Sequence, residues 1–187
     1  MGNYMQEVEF SILYWFQGLH NPVLDKFEVA VSSLGNAGIL WIVLALLMVI
    51  LCKDKKGGWS AGAALVLSGI IINLLIKPLV ARDRPCWIAD PSTFAQLVPI
   101  PKDYSFPSGH SSAAFAFSVA IFPYYRKWSI ASLVLSVLIA LSRMYLFVHW
   151  PTDVLCGTLL GIAEGLLGII IVKFIYQKME EKKQGEM

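Results

Sequence analysis

The sequence predicts an all-α, polytopic membrane protein forming a single domain over residues 1–187, and three observations carry that reading. The chain is 57% hydrophobic and 15% charged, where a soluble domain has about 25% charge. Its mean hydropathy is +0.63. The apolar residues come in blocks rather than in the alternating or striped patterns of half-buried elements. No linker, low-complexity tract or repeat divides the chain, and a net charge of +2 without a basic stripe gives no support to a nucleic-acid partner.

The elements follow in order. "YMQEVEFSILYWFQG" places Met5, Val8, Ile12, Trp15 and Phe16 at helical spacing, with Gln6, Glu7 and Glu9 elsewhere. That predicts an N-terminal amphipathic helix on the membrane surface, or the first turns of a first span. It has neither the basic start nor the cleavage site of a signal peptide. Residues 21–38 read either as a broken span or as a helix in the interface. Five apolar blocks follow, at 38–52, 59–80, 108–122, 129–148 and 151–176. Each is read as a crossing, although some are short against the usual ~20 residues.

Lysine and arginine orient these spans. Nine of the fifteen (53, 55, 56, 126, 127, 173, 178, 182 and 183) flank one set of ends, which should be cytoplasmic. The loop 81–107 and the junction at 149–151 then lie on the extracytoplasmic side. That side nevertheless carries Lys77, Arg82, Arg84, Lys102 and Arg143. Solvation explains Lys102 well and Arg82 in part. It does not explain Lys77 and Arg143, which lie within or at the end of apolar spans, where charge marks function.

Three short segments give these cations a purpose. In "FPSGHSSAAF" (106–115), Pro107 and Ser108 sit where a helix begins, and Gly109 lets a ligand approach the backbone. The free N–H groups of that first turn form an anion site beside His110. In "SRMYLFVHWPTD" (142–153), His149 and Asp153 are four residues apart, and Pro151 opens the next helix. A carboxylate near an imidazole holds one tautomer and raises the basicity of the other nitrogen. His149 is thus a candidate nucleophile, and His110 a candidate general acid. In "KPLVARDRP" (77–85), Lys77 and Arg84 share a face if the helix persists, or meet through a folded loop if it ends near Pro78. Both offer donors suited to phosphoryl oxygens. Two histidines and an aspartate could ligate zinc or iron. Three cations at the same place would repel a metal, and point instead to an anion with several oxygens.

Lys77-x6-Arg84-Pro85, Pro107-Ser108-Gly109-His110 and Ser142-Arg143-x5-His149-x3-Asp153 together resemble the signature of the type-2 phosphatidic acid phosphatase superfamily. All three parts stand in order, over residues 77–153. The apolar spans place the chain with that superfamily's membrane lipid phosphatases. The resemblance implies a bundle of six transmembrane helices with both termini cytoplasmic. It implies that His149 attacks phosphorus to form a phosphohistidine, that Asp153 orients it, and that His110 protonates the leaving oxygen. It implies that Lys77, Arg84, Ser108, Gly109 and Arg143 hold the phosphoryl oxygens, with no metal and no other cofactor. The partners expected are membrane lipids and a lipid phosphate substrate: undecaprenyl pyrophosphate, phosphatidylglycerol phosphate or phosphatidic acid. Hydrolysis, transfer to a hydroxyl acceptor through the same intermediate, and phosphate binding without chemistry are the competing functions.

Smaller expectations complete the reading. Trp87, Ile88, Phe94, Leu97, Val98 and Ile100 either gate a lipid or belong to a plain surface loop. Glu164 should pair with Asn73 or a serine. The small residues 111–116 should let helices pack closely. A disulfide is conceivable only between Cys86 and Cys156, and His20 is expected at the interface without a charged partner.

Overall fold

A chain among lipids must close its backbone hydrogen bonds internally, and helices do so within one segment. The computed structural model describes residues 2–185, and the regular elements among them are all helical. α1 runs over Gly2–Gln17. α2 (Pro22–Leu34) starts where the Asn21 side chain accepts hydrogen bonds from the N–H groups of Val23 and Leu24, with Pro22 at the first helical position. The helix then breaks at a single 3₁₀ turn, Asn36–Gly38, in which Ala37 and Gly38 take φ of 50° and 67°. α3 (Ile39–Leu51) continues at a 40° bend. The segments at 21–34 and 38–52, read from hydropathy as separate, are therefore at most one bent span.

α4 (Lys56–Ser68) passes without a break into a π-helical stretch, Gly69–Ile76, and then into α5 (Lys77–Val80). π segments concentrate at functional sites, and this one ends on Lys77. Ala81, at φ 46°, stops the helix. A short α6 (Pro85–Ile88) and an irregular loop lead to α7 (Gly109–Ile121), α8 (Arg126–Tyr145) and α9 (Pro151–Gly185).

α7 is the central helix, packed on α4, α8 and α9. Of the small residues expected to pack closely, Ser111, Ser112, Ala114 and Ala116 are buried, while Ala113 is half-buried and lines a cavity. The matching surface on α9 is glycine. A Cβ at Gly157 would lie 2.4 Å from the Ser108 carbonyl oxygen, and one at Gly161 would lie 2.3 Å from that of Ser112. Backbone meets backbone there, which brings the starts of α7 and α9 side by side. Between α7 and α8, Ser118 and Ser136 share a hydrogen bond of 3.0 Å, and Ser129 donates to the Ser118 carbonyl at 2.6 Å. Outward-facing side chains are apolar: Leu79 is 82% exposed and Leu51 73%. That is the surface a hydrocarbon solvent accepts.

Three helical stretches are long and apolar enough to cross a membrane: Lys56–Ile88, Arg126–Tyr145 and Pro151–Gln184. The bent α2–α3 pair would make a fourth. α7, with 13 residues, falls short of that length. The expected count of six is not reached by these measures. Two further expectations are corrected. His20 has a charged neighbour, Asp25, with Nδ1 2.8 Å from its carboxylate. Cys52, Cys86 and Cys156 are all free thiols.

Candidate active site

The turn between α8 and α9 explains the spacing of the third motif. Phe147 takes φ 58°, and the N–H groups of Val148 and His149 both donate to the Arg143 carbonyl, at 3.2 and 3.3 Å. This folds His149 back over the end of α8, towards Arg143. Pro151 then starts α9, and the Asp153 carboxylate (Oδ2) accepts the Trp150 N–H at 2.9 Å, as an acid in a first turn should.

His149 is 1% exposed and Asp153 is fully buried. The His149 Nδ1 lies 3.4 Å from Asp153 Oδ2. That is ion-pair range, but Nδ1 makes no hydrogen bond. On the other edge, Nε2 is 3.2 Å from Arg84 Nη1. A guanidinium can only donate, so Nε2 accepts and carries the lone pair. The ring proton of neutral His149 then sits on Nδ1, facing Asp153. That is the tautomer a nucleophile at Nε2 requires.

The structure brings Lys77, Arg84 and Arg143 to one cavity. The helix does end after Pro78, and the loop folds Arg84 back. Arg84 Nη1 donates to the Val148 carbonyl at 2.7 Å, and Nε to the Asp103 carbonyl at 2.7 Å. Arg143 donates from Nη1 to the Ser32 hydroxyl, while its buried Nε has no partner. Lys77, Arg84, Arg143, Gly109, His110 and His149 all line one cavity of about 880 Å³. His110 Nε2 lies 3.1 Å from Asn36 Oδ1, in the turn between α2 and α3. A Cβ at Gly35 would be 2.7 Å from the His110 ring, so the glycine makes room for it.

Ser108 is placed differently from the other candidates. It is fully buried, its hydroxyl caps α7 by accepting from Ser111 N at 3.4 Å, and its own N–H donates to the Asp153 carbonyl at 3.0 Å. It fastens α7 to α9 and does not line the cavity.

The sequence reading missed four polar residues. Asp103 pairs with Lys77 and, at 2.9 Å, with Arg84 Nη2. Burial alone would raise its carboxyl, but the two cations outweigh burial and hold it at about 2. A carboxylate thus rests where phosphoryl oxygens are expected. Asn36 faces His110. Arg82, which solvation explained only in part, and Glu9, placed off the apolar face of the first helix, stand behind Asp153, with Glu9 only 4% exposed. "RDRP" advertised two arginines, but only packing shows that they face opposite sides of His149. Of the loop side chains, Leu97, Val98 and Ile100 line the cavity, while Phe94 stacks on Phe147 at 4.7 Å. Among the described residues, no three His, Cys, Asp or Glu side chains gather as a metal site.

Residues 57–179, two thirds of the chain, match the profile of the PAP2 superfamily. The chain belongs to that superfamily. Among PAP2 relatives it is 34% identical to an undecaprenyl-diphosphatase of Sulfolobus acidocaldarius, over 74% of this chain and 66% of that protein. It is 31% identical to undecaprenyl-diphosphatase BcrC of Bacillus subtilis, over 86% and 82%. A crystal structure of a transmembrane PAP2-type phosphatidylglycerolphosphate phosphatase from Bacillus subtilis superposes with a TM-score of 0.72 at 27% identity, covering 94% of this chain and 88% of that one. The membrane PAP2 fold is therefore the fold of this chain.

Proposed function

We propose that this protein is a membrane lipid phosphatase that removes a phosphoryl group from a lipid phosphomonoester or pyrophosphate through a phosphohistidine on His149. One observation carries the reading: His149, His110 and the buried cations Lys77, Arg84 and Arg143 line one cavity that also has an apolar side, including Ile42, Leu65 and Leu97. A phosphate on an aliphatic tail fits such a space. The names of the relatives favour undecaprenyl pyrophosphate or phosphatidylglycerol phosphate.

The substrate phosphate displaces the Asp103 carboxylate from Lys77 and Arg84. Arg84 turns its donors to phosphoryl oxygens, joined by Arg143 Nε and the backbone N–H groups at the start of α7, and this uncovers His149 Nε2. That nitrogen forms a bond to phosphorus while the bond to the lipid oxygen breaks. His110 gives that oxygen its proton, and Asp153 supports the ring as it becomes positive. His110 then takes a proton from water, which attacks the phosphohistidine and releases inorganic phosphate.

We place the cavity outside the cytoplasm, because nine of the fifteen lysines and arginines flank the opposite ends. Of the six crossings implied by resemblance, we propose five: α2–α3, α4–α5, α7, α8 and α9. α1 lies across the site end, where Phe10 packs edge-on to Trp150 at 4.8 Å and Gln17 bonds the Tyr145 carbonyl at 3.0 Å.

The test is phosphate release by purified protein from undecaprenyl pyrophosphate, phosphatidylglycerol phosphate and phosphatidic acid, with and without a hydroxyl acceptor. His149→Ala should abolish release while the protein still folds; full activity in that variant would overturn the covalent mechanism. For sidedness, Lys102→Cys should react with an impermeant thiol reagent on intact cells, and Lys55→Cys only after the cells are opened. The reverse pattern would put the site in the cytoplasm.

A further inference from the structure

Arg82 and Glu9 do not line the phosphoryl cavity, yet both are built into its back wall. The two oxygens of Asp153 have separate duties. Oδ2 takes the Trp150 N–H and faces His149. Oδ1 takes Arg82 Nη1 at 2.7 Å. The same Nη1 reaches the Thr152 hydroxyl at 2.7 Å, and Nη2 reaches Glu9 Oε2 at 2.5 Å. Glu9 closes the ring with its other oxygen, which accepts from Thr152 N at 3.2 Å and from the Thr152 hydroxyl at 2.5 Å. The guanidinium also lies over the Trp150 ring, 5.1 Å from its centre. Arg82 is thereby gripped on three sides.

We propose that Glu9 and Arg82 are a positioning pair that fixes Asp153 against His149 and keeps the charge behind the nucleophile net negative. The proposal rests on His149 as the nucleophile. Arg82 alone would cancel the Asp153 charge and weaken its support for a positive imidazole. Glu9 restores it: two carboxylates and one guanidinium sum to −1, the counter-charge of the positive imidazolium ring that forms as His149 attacks phosphorus. Glu9 comes from α1, 73 residues before Arg82, so the first helix completes a reaction centre whose other charged groups lie between residues 77 and 153.

A purely structural pair and a positioning pair separate in a mutant cycle. Glu9→Gln and Arg82→Gln should each lower kcat about 10-fold with KM within about twofold, the size seen when outer partners of a functional histidine are removed. Glu9→Gln leaves the Arg82 charge uncompensated, and removing that charge as well returns the back wall to −1. The double variant should therefore lose about 10-fold, not about 100-fold. In an Asp153→Asn background neither change should matter further. Arg82→Lys, which keeps charge but cannot bridge Asp153 and Glu9 together, should lie between wild type and Arg82→Gln. Thermal unfolding of each variant checks that it is folded; should Arg82→Gln not fold, the isosteric Glu9→Gln in the Asp153→Asn background decides alone. Additive losses, losses confined to KM, or an undiminished Glu9 effect without Asp153 would overturn the pair. His149→Ala, assayed alongside, tests the nucleophile separately: activity there would remove both readings, whereas an inactive His149→Ala with additive losses removes only this one.

Discussion

Asp153 and Glu164 are both acidic, both at most 1% exposed, and both on α9, eleven residues apart. Their surroundings are opposite. Asp153 is bonded by a guanidinium and a backbone N–H and faces an imidazole. Glu164 accepts from one hydroxyl, Ser112, at 2.6 Å; Ser112 in turn lies 2.7 Å from the Ser68 hydroxyl, and the second Glu164 oxygen is unpartnered. Among the described residues Glu164 makes no ion pair. The same functional group on the same helix thus sits among charged groups at one depth and among serines that pair helices at another. What decides is whether cations were gathered round it, because an acid buried without them is worth little to a reaction that creates positive charge.

The comparison can be broken most sharply at its upper member. Asp153→Asn should cost about 10³-fold or more in kcat while leaving a measurable residue, because orientation and charge go but the attacking nitrogen stays; a rate within tenfold of wild type would return Asp153 to a structural role. Next is the contact between the two acids. Gly161→Ala forces a methyl against the Ser112 carbonyl and should lower stability by about 1–3 kcal/mol in a detergent unfolding assay, with activity falling because α7 and α9 are pried apart.

A smaller effect is expected at Asp103. Asp103→Asn removes a competitor for Lys77 and Arg84, so inhibition by vanadate or inorganic phosphate should tighten about 3- to 10-fold, the modest worth of ion pairs made by a half-exposed carboxylate. The folded carboxyl titrates at about 2, below its ordinary 3.8. Its pairing therefore stabilises the fold above the ordinary value and is lost only as pH falls through about 2. The difference between variant and wild type should accordingly stay flat from about pH 5 upward. The smallest effect belongs to Glu164→Gln, which keeps an acceptor for Ser112: turnover should stay within about twofold. A large loss of turnover in a stable Glu164→Gln protein would make the mid-bundle cluster a second working site.

Much of this centre was legible because its chemistry is carried by short segments. The turn that brings His149 back to Arg143, and the first helical turn that holds Asp153, are both closed within the twelve residues 142–153, so spacing alone reports the geometry. Lys77 and Arg84 needed only the break after Pro78. The illegible parts depend on chain segments far apart. No local pattern links Glu9 to Arg82, or Asn36 to His110, and Asp103 looks like an ordinary loop acid until two buried cations are seen around it. Hydropathy was blind to the turn at Asn36–Gly38, since composition does not register a left-handed alanine. It therefore divided one bent path into two. At Ser108 the sequence shows the cap at a helix start, but not that this cap also packs against another helix.

The shortness of α7 has a further consequence. Thirteen residues make a helix about 20 Å long, against a hydrocarbon layer of about 30 Å. On the proposed topology, with its far end near the Arg126–Lys127 boundary, its near end, with His110, would lie below the plane where phosphate headgroups rest. Hydrophobic mismatch of this size is met by a local thinning of the bilayer or a dip in its surface. Either one lowers the headgroup towards the cavity. On that reading the thickness of the surrounding membrane would become a component of the catalyst, and the lipid would be delivered partly by the deformation of its own solvent.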